Sequence, residues 1–393
     1  AWRRRYRHNR MQKGIPRFIF VSAFDYPTRF AHALHGLHMA RAFAARLGNS
    51  FLYIVNTAVE QEELSGIRYR RLFGRFGRRV KKLRLRRLLV PLSLLYIFIT
   101  QKAHGSVMYT TDPVLFAPLV FMKRFFNYTF ACECHGTLTP KQSAIVAQHA
   151  DAIFFVTASL KNDWIAAHPH AAHKAHLLPN AVDISAFEKV PDDKAALREK
   201  LDLPLDKTLV GYVGRFEPLG ADKGLHLMID AVSSLPEEVT LVLVGGAKNE
   251  IAHYADYIAS KGLADRVTLV PHVASSQVAQ FEKACDILAY VPSAGGAFFE
   301  KETSPMKLFE YMAADRPIIV SDSPAMREIL DDSSALFVKP GSQAEFVHAI
   351  EHLIHSPDHG AGLAASALKK VSRNTWERRA QEVLERTGAF LPN

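Results

Sequence analysis

Cysteine is scarce in this chain: Cys132, Cys134 and Cys285 are the only three among 393 residues. That number rules out a disulfide framework, and no Cys/His spacing suits a zinc site, so no metal ligand set is expected. Long apolar runs are missing too. The best candidate, Leu88 to Ile99, is twelve residues long and contains Pro91, well short of the roughly 20 residues a membrane helix needs. The Arg-rich residues 1–13 lead into Pro16 and a strand-like run, so no secretory leader is expected. There is no repeat of 20–50 residues and no low-complexity tract. What remains is ordinary globular composition, 48% apolar and 22% charged. At about 150 residues per domain the length suggests two or three domains. A soluble, reduced, cytoplasmic protein is the expectation.

Acidic residues are few in the first half. Up to Phe187 there are 27 Lys/Arg against 9 Asp/Glu, while the remainder carries 22 against 30, so a net charge of +10 hides a basic half and an acidic half. Such asymmetry points the basic half toward something anionic: nucleic acid, lipid headgroups or a phosphorylated ligand. The extreme is Arg68–Arg87, with 11 Lys/Arg in 20 positions and no acid. Tyr69, Leu72, Phe73, Phe76, Val80 and Leu83 recur there at three- and four-residue steps. This spacing predicts a helix with one apolar side and a cationic side bearing Arg68, Arg71, Arg75, Arg78, Arg79 and Lys82. A segment of that composition suits a membrane interface or faces an acceptor. A solvated basic helix and a core-facing stripe are the alternatives. RNA is not the expected partner, because no aromatic stacking platform or known RNA module accompanies the charge.

Short apolar runs alternate with helix-like ones along the chain. Arg17–Ser22, Phe51–Asn56, Val107–Thr110, Tyr128–Glu133, Ala152–Val156 and His176–Pro179 read as strands buried on both faces. A second series follows: Leu209–Val213, Val239–Val244, Val267–Pro271, Ile287–Val291, Pro317–Val320 and Leu336–Val338. Two successive βαβ series predict two doubly wound α/β domains. The expected division is an N-terminal domain over 1–187, a linker over 188–207, a C-terminal domain over 208–373, and a last helix over 374–393 packing back toward the first domain.

Two motifs carry chemistry. Ser304 before Pro305 signals a helix start, with Ser as cap and Pro at the first position. Glu302 then precedes the helix, and Glu310 lies inside it, roughly 8–9 Å along the axis. Between them the N–H groups of Met306 and Lys307 form a ready phosphate site. Two carboxylates around an anion site suit a nucleotide-sugar, with hydroxyls on either side of a diphosphate. A loop charge at Glu302 and a solvated Glu310 fit the residues equally well. In the second motif, Gly211-Tyr-Val-Gly-Arg215 leaves a strand at its carboxyl end, where open α/β sheets bind ligands. Asp222 then caps a helix with Lys223 in its first turn. Arg215 and Lys223 are placed to neutralise a diphosphate, unless they are two surface cations.

Together these residues resemble the retaining, GT-B-fold glycosyltransferases of family 4. Glu302-x7-Glu310 with Ser-Pro-Met-Lys-Leu-Phe-Glu-Tyr-Met-Ala is similar to that family's acidic motif, and Gly214-Arg215 to Lys223-Gly224 resembles its phosphate pair. Leu178-Pro-Asn180-Ala-Val-Asp183 is similar to its segment before the interdomain linker. The resemblance implies two Rossmann-like domains facing a central cleft, and transfer of a sugar from a UDP- or GDP-linked donor to a glycan or lipid-linked acceptor. It implies Glu310 on the ribose, Glu302 on the donor sugar, Arg215 and Lys223 on the diphosphate, and His135 of Glu133-Cys-His135-Gly136 meeting the sugar. Base selection is expected from backbone groups near His272 and Val273. No cofactor is expected, and a peripheral place on the inner face of the cell membrane is. Where family members carry adjacent glycines in the first loop, this chain has Ala23-Phe-Asp-Tyr-Pro-Thr-Arg29. Sugar-nucleotide epimerases share the fold, and a non-catalytic RNA- or membrane-binding subunit is the alternative from another class.

Overall fold

The computed structural model describes residues 16–26, 31–57, 64–73, 86–217, 223–292 and 301–389. The chain divides into two compact units. One joins Ala1–Pro179 to Trp376–Asn393, and the other is Asn180–Thr375.

The first unit is built on a seven-stranded sheet: β1 Phe18–Tyr26, β2 Phe51–Thr57, β3 Tyr69–Arg71, β4 Val107–Thr110, β5 Thr129–Cys134, β6 Ala152–Phe155 and β7 Ala175–Leu177. The strands are parallel and lie in the order β3-β2-β1-β4-β5-β6-β7. Alternation along β1 divides the core. Phe18 and Phe20 face one way, into rings from Phe43, Tyr53 and Tyr109. Ile19 and Val21 face the other. There they meet side chains of helices α2 Arg86–Thr100, α3 Phe116–Phe126, α4 Pro140–His149 and α5 Ala158–Ala167. Helix α1, Ala31–Leu47, covers the Phe18 face.

The second unit holds six parallel strands: β8 Thr208–Val213, β9 Val239–Gly246, β10 Val267–Pro271, β11 Ile287–Tyr290, β12 Ile318–Ser321 and β13 Leu336–Val338. Their order, β10-β9-β8-β11-β12-β13, reverses direction between β8 and β11. That reversal is the switch point at which doubly wound sheets bind ligands. Helices α6 Ile184–Glu188, α7 Lys194–Lys200, α8 Leu225–Val232, α9 Lys248–Ser260, α10 Ser275–Ala284, α11 Met306–Ala313, α12 Pro324–Arg327, α13 Gln343–His355 and α14 Pro357–Val371 complete it. The final helix, α15 Trp376–Arg386, belongs to the first unit and packs on α1.

Two expectations differ from this architecture. The segment 188–207 is no linker, because α7 anchors it to the second sheet. Arg198 Nε donates to Ala284 O at 2.9 Å, and its Nη2 pairs with Asp286 at 2.6 Å. The boundary therefore falls at Pro179/Asn180, ahead of residue 187. The basic segment does not begin as a helix either. Tyr69–Arg71 is a strand paired with Tyr53–Val55, and Arg68 donates to Asn49 O at 2.8 Å and Gln101 Oε1 at 3.1 Å. Leu72 and Phe73 are buried in the core beside it. Extended pairing to β2 satisfies the backbone there and sends alternate side chains to opposite faces, which a helical stripe cannot do. Arg75, Arg78, Arg79 and Lys82 lie outside the described residues.

Candidate active site

All six strands of the second sheet run the same way, so their carboxyl ends form one rim. β8 delivers Gly214 and Arg215 to it, and β10 delivers His272 and Val273, with His272 N–H donating to Gly246 O at 3.0 Å. Across the switch point β11 ends at Tyr290 and Val291. Lys223 is buried there, its Nζ 3.3 Å from Tyr290 Oη and 5.6 Å from the ring centre. Lys223 precedes its helix and does not sit in the first turn. The residue at the helix start is Gly224, with φ +85°. A Cβ on Gly224 would lie 2.0 Å from Val291 O, so only glycine allows this approach. Asp222 lies outside the described residues, as do 218–221 and 293–300.

Helix α11 brings its first turn to the same rim. Lys307 Nζ donates to Val213 O and stands 5.3 Å from the Tyr212 ring centre, while Tyr311 Oη accepts from Val213 N–H at 2.9 Å. Lys307 fills the notch left by Gly214, where a Cβ would fall 1.1 Å from Nζ. Gly214, at φ +151°, is thus held by the lysine it admits. The Ser304 hydroxyl does not cap α11; the cap position belongs to Pro305. Ser304 Oγ instead accepts from Asn180 N–H at 3.2 Å, and Asn180 Nδ2 donates to Ser304 O at 2.5 Å. This ties the segment before α11 to the start of the unit. Met306 and Lys307 present the first N–H groups of the helix, which have no intrahelical partners. Glu302 is half-buried upstream of them.

Glu310, one turn after Lys307, is held above the ordinary carboxylate range by burial, with Lys307 pulling the other way. Burial lowers Lys307, and Glu310 and Glu282 oppose that fall. The rim therefore brings together Arg215, Lys223, Lys307, Glu310 and the α11 amides, with His272 and Val273 two strands away. Cations and amides of this kind can hold a diphosphate, and a carboxylate beside them can accept from hydroxyls.

The sequence-selected residue of the first unit, His135, follows β5. Its Nε2 lies 2.7 Å from Glu133 Oε1, and its side chain is partly exposed. Glu133 is wholly buried and accepts both Nη atoms of Arg379, as well as the hydroxyl of Tyr109. His35 Nε2 stands 3.3 Å from the same carboxylate. Burial would raise Glu133, but Arg379, His35 and His135 together bring it well below the ordinary range. His35, Glu133 and His135 place three ligand-type atoms within 4.8 Å of one another. Arg379 already supplies the cation for that carboxylate, and a metal ion there would stand beside a buried guanidinium. The cluster orients His135; it does not form a metal cage.

Residues 193–371 match the family model described as Glycosyl transferases group 1. The matched stretch contains Arg215, Lys223, His272, Val273, Glu302, Pro305, Met306, Lys307 and Glu310, whereas His135 and Arg379 lie outside it. Two relatives called D-inositol 3-phosphate glycosyltransferase are similar. The one from Xylanimonas cellulosilytica is 28% identical over 64% of this chain and 60% of its own length. The one from Stackebrandtia nassauensis is 30% identical over 54% and 48%. The chain thus spans about half to three-fifths of these curated relatives. Among solved structures, Anabaena HepE in complex with UDP matches over 95% of this chain and all of its own, at TM-score 0.75 and 18% identity. A glycosyltransferase from Rickettsia africae matches over 96% and 99%, at TM-score 0.76 and 14% identity. These likenesses show the fold: two Rossmann-like parallel-sheet domains of GT-B type.

One residue of the matched stretch escaped sequence reasoning. Glu282 on α10 is wholly buried, and neither carboxylate oxygen has a hydrogen-bond partner. Burial, and then Glu310, push it well above the ordinary range, with Lys307 opposing. The signal was present: Glu282 follows Val278 by four residues and so falls on the apolar stripe of its helix.

Proposed function

We propose that this chain is a nucleotide-sugar-dependent glycosyltransferase, moving a hexose-type sugar from a UDP- or GDP-linked donor with retention of configuration. The observation that carries the reading is the convergence of Arg215, Lys223, Lys307 and the first turn of α11 on the rim at the β8/β11 switch point. As the sugar bond breaks, negative charge gathers on the departing diphosphate, and pre-placed cations and amides stabilise it there. These side chains do the neutralising, so no metal is assigned to that task. Glu310 accepts from ribose hydroxyls and Glu302 from the donor sugar; both position the donor and neither serves as acid or base. Within the first unit, Glu133 holds the ring of His135 in one orientation. The donor phosphate takes the acceptor proton. HepE, solved with UDP-glucose, supports a uridine donor by analogy. The acceptor is a glycan or lipid-linked glycan of the cell envelope, reached from the cytoplasmic face, where the enzyme associates peripherally with an anionic membrane.

A thermal-shift screen against UDP, GDP, ADP and their common sugar conjugates tests this. A ligand that binds only the folded state at a hundredfold excess over Kd stabilises by about 2.7 kcal/mol. We expect a shift with one nucleotide and its sugar conjugate, followed by sugar-dependent nucleotide release. No shift and no release with any donor would refute the reading.

A further inference from the structure

Of the large apolar side chains exposed among the described residues, most lie in one stretch of the first unit: Leu92, Leu95, Tyr96 and Ile99 on α2, and Phe121 and Phe125 on α3. Leu92, Tyr96 and Ile99 are 62%, 70% and 61% exposed and recur at helical steps, forming a ridge along α2. Phe121 and Phe125 form a second ridge one turn apart, their ring centres 5.5 Å from each other. The inner faces of both helices enter one core cluster, through Val90, Leu94 and Phe98 from α2 and Leu119, Met122 and Phe126 from α3. They are neighbours in one layer on one face of the sheet, so both ridges point away from it on the same side.

The charge in this stretch of sequence is nearly all of one sign, and among the described residues the one exposed acid paired with α3 from beyond it is Asp151, which meets Lys123 at 2.5 Å. From Leu64 to Cys132 the sequence has 14 Lys/Arg and a single acid, Asp112. Asp112 is buried, and its Oδ1 accepts from Val114 N–H, so it adds nothing to the surface. Arg70, Lys102 and Arg124 are exposed near the ends of the two helices and of the adjoining edge strand β3. Apolar ridges with a cationic border fit the boundary between headgroups and acyl chains of an anionic bilayer. A protein partner rich in acids would pair with the cations but leave the ridges wet. Helix α2 has 15 residues, about 22 Å of length against the roughly 30 Å of a bilayer core, and no described helix can cross a membrane.

We propose that the outer face of α2 and α3 is the surface by which this protein docks on anionic phospholipid, with Leu92, Tyr96, Ile99, Phe121 and Phe125 entering the interface. This deepens the peripheral reading above and rests on it. It moves the attachment from a helix over 68–87 to two helices of the folded unit.

The test is co-sedimentation of the full chain with vesicles of equal phosphatidylglycerol and phosphatidylcholine, and with phosphatidylcholine alone. We expect binding to the anionic vesicles only, weakened about tenfold between low and high salt. Leu92→Ser/Tyr96→Ser/Ile99→Ser should cut binding at least about tenfold while the circular dichroism spectrum and melting temperature stay unchanged. If that variant misfolds, Phe121→Ser/Phe125→Ser is the second probe. Binding that persists unchanged in folded ridge variants overturns the α2/α3 surface but leaves peripheral attachment standing. No binding by the unmodified protein at low salt removes both. A dimer in light scattering that the serine variants convert to monomers, without vesicle binding, would make the ridges a self-interface and also overturn the proposal. Nucleotide release in solution, measured separately, reports on sugar transfer and is independent of each outcome.

Discussion

Arg379 sets both Nη atoms on the carboxylate of Glu133, 246 residues earlier in the chain, at 2.5 and 3.1 Å. Arg379 Nε and Nη2 also donate to the carbonyls of Pro179 and Leu178, so each of the three guanidinium nitrogens has an acceptor. A buried pair of this kind contributes modestly against well-packed apolar groups, yet breaking it strands a charge. Arg379→Ala should therefore destabilise the first unit by about 3–5 kcal/mol. Glu133→Gln/Arg379→Met should recover most of that loss. Urea denaturation decides it, and a single variant as stable as the parent would show that the pair does not hold the unit.

The same cluster makes the first unit sensitive to mild acid. Burial, with Arg379 adding to it and Glu133 opposing, lowers His35 to about 3. Its folded value lies below the unfolded one, so its share of stability is complete above about pH 6.5 and drains away as pH falls toward 3. At pH 5 the loss from this group is about 2 kcal/mol. His32 and His176, lowered first by burial, act in the same direction. His35→Gln should flatten the curve between pH 7 and pH 5. An equally steep decline in this variant would move the acid sensitivity elsewhere.

Glu282 carries the opposite sign. Its carboxyl is raised in the folded state, so folding is favoured in acid and weakens as pH rises from the ordinary glutamate range to the folded value. Glu282→Gln keeps the shape and removes the ionisation. The variant should melt higher than the parent at pH 8, with the gap closing toward pH 5. Equal melting temperatures at pH 8 would mean that the parent carboxylate is not paying for its burial.

Glu310→Ala and Lys223→Ala should each lower sugar transfer at least about tenfold, because each removes a charge-assisted contact worth roughly 1.5–3 kcal/mol. Melting temperature without donor separates this from unfolding. Near-normal turnover in both variants would remove the rim as the donor site.

Much of this was legible in the sequence, and the gaps have physical causes. Val107–Thr110, Val267–Pro271 and Leu336–Val338 were read with their observed bounds, because each is a short, mostly apolar run rich in strand-forming residues. Tyr69–Arg71 was misread because an edge strand of three residues, two of them arginine, has no apolar run to show. Ser304 looked like a cap since capping is judged locally, whereas its partner Asn180 lies 124 residues away. Arg379 stands three residues after Trp376, among the side chains of the apolar stripe Trp376, Ala380 and Val383. Nothing local names its partner; the misplaced charge was the readable part.

The return of α15 to the first sheet sets an order of events during synthesis. The ribosome releases all of β1 to β7 before residue 180, but Arg379 emerges only after the whole second unit has been made. Translation at about 5–20 residues per second makes that interval roughly 10–40 s. Throughout it Glu133 has no guanidinium, and α1 has no helix to pack against its outer side. The second unit, contiguous in sequence, can finish folding in that time. Of the two units, the one begun earlier is thus the one completed later.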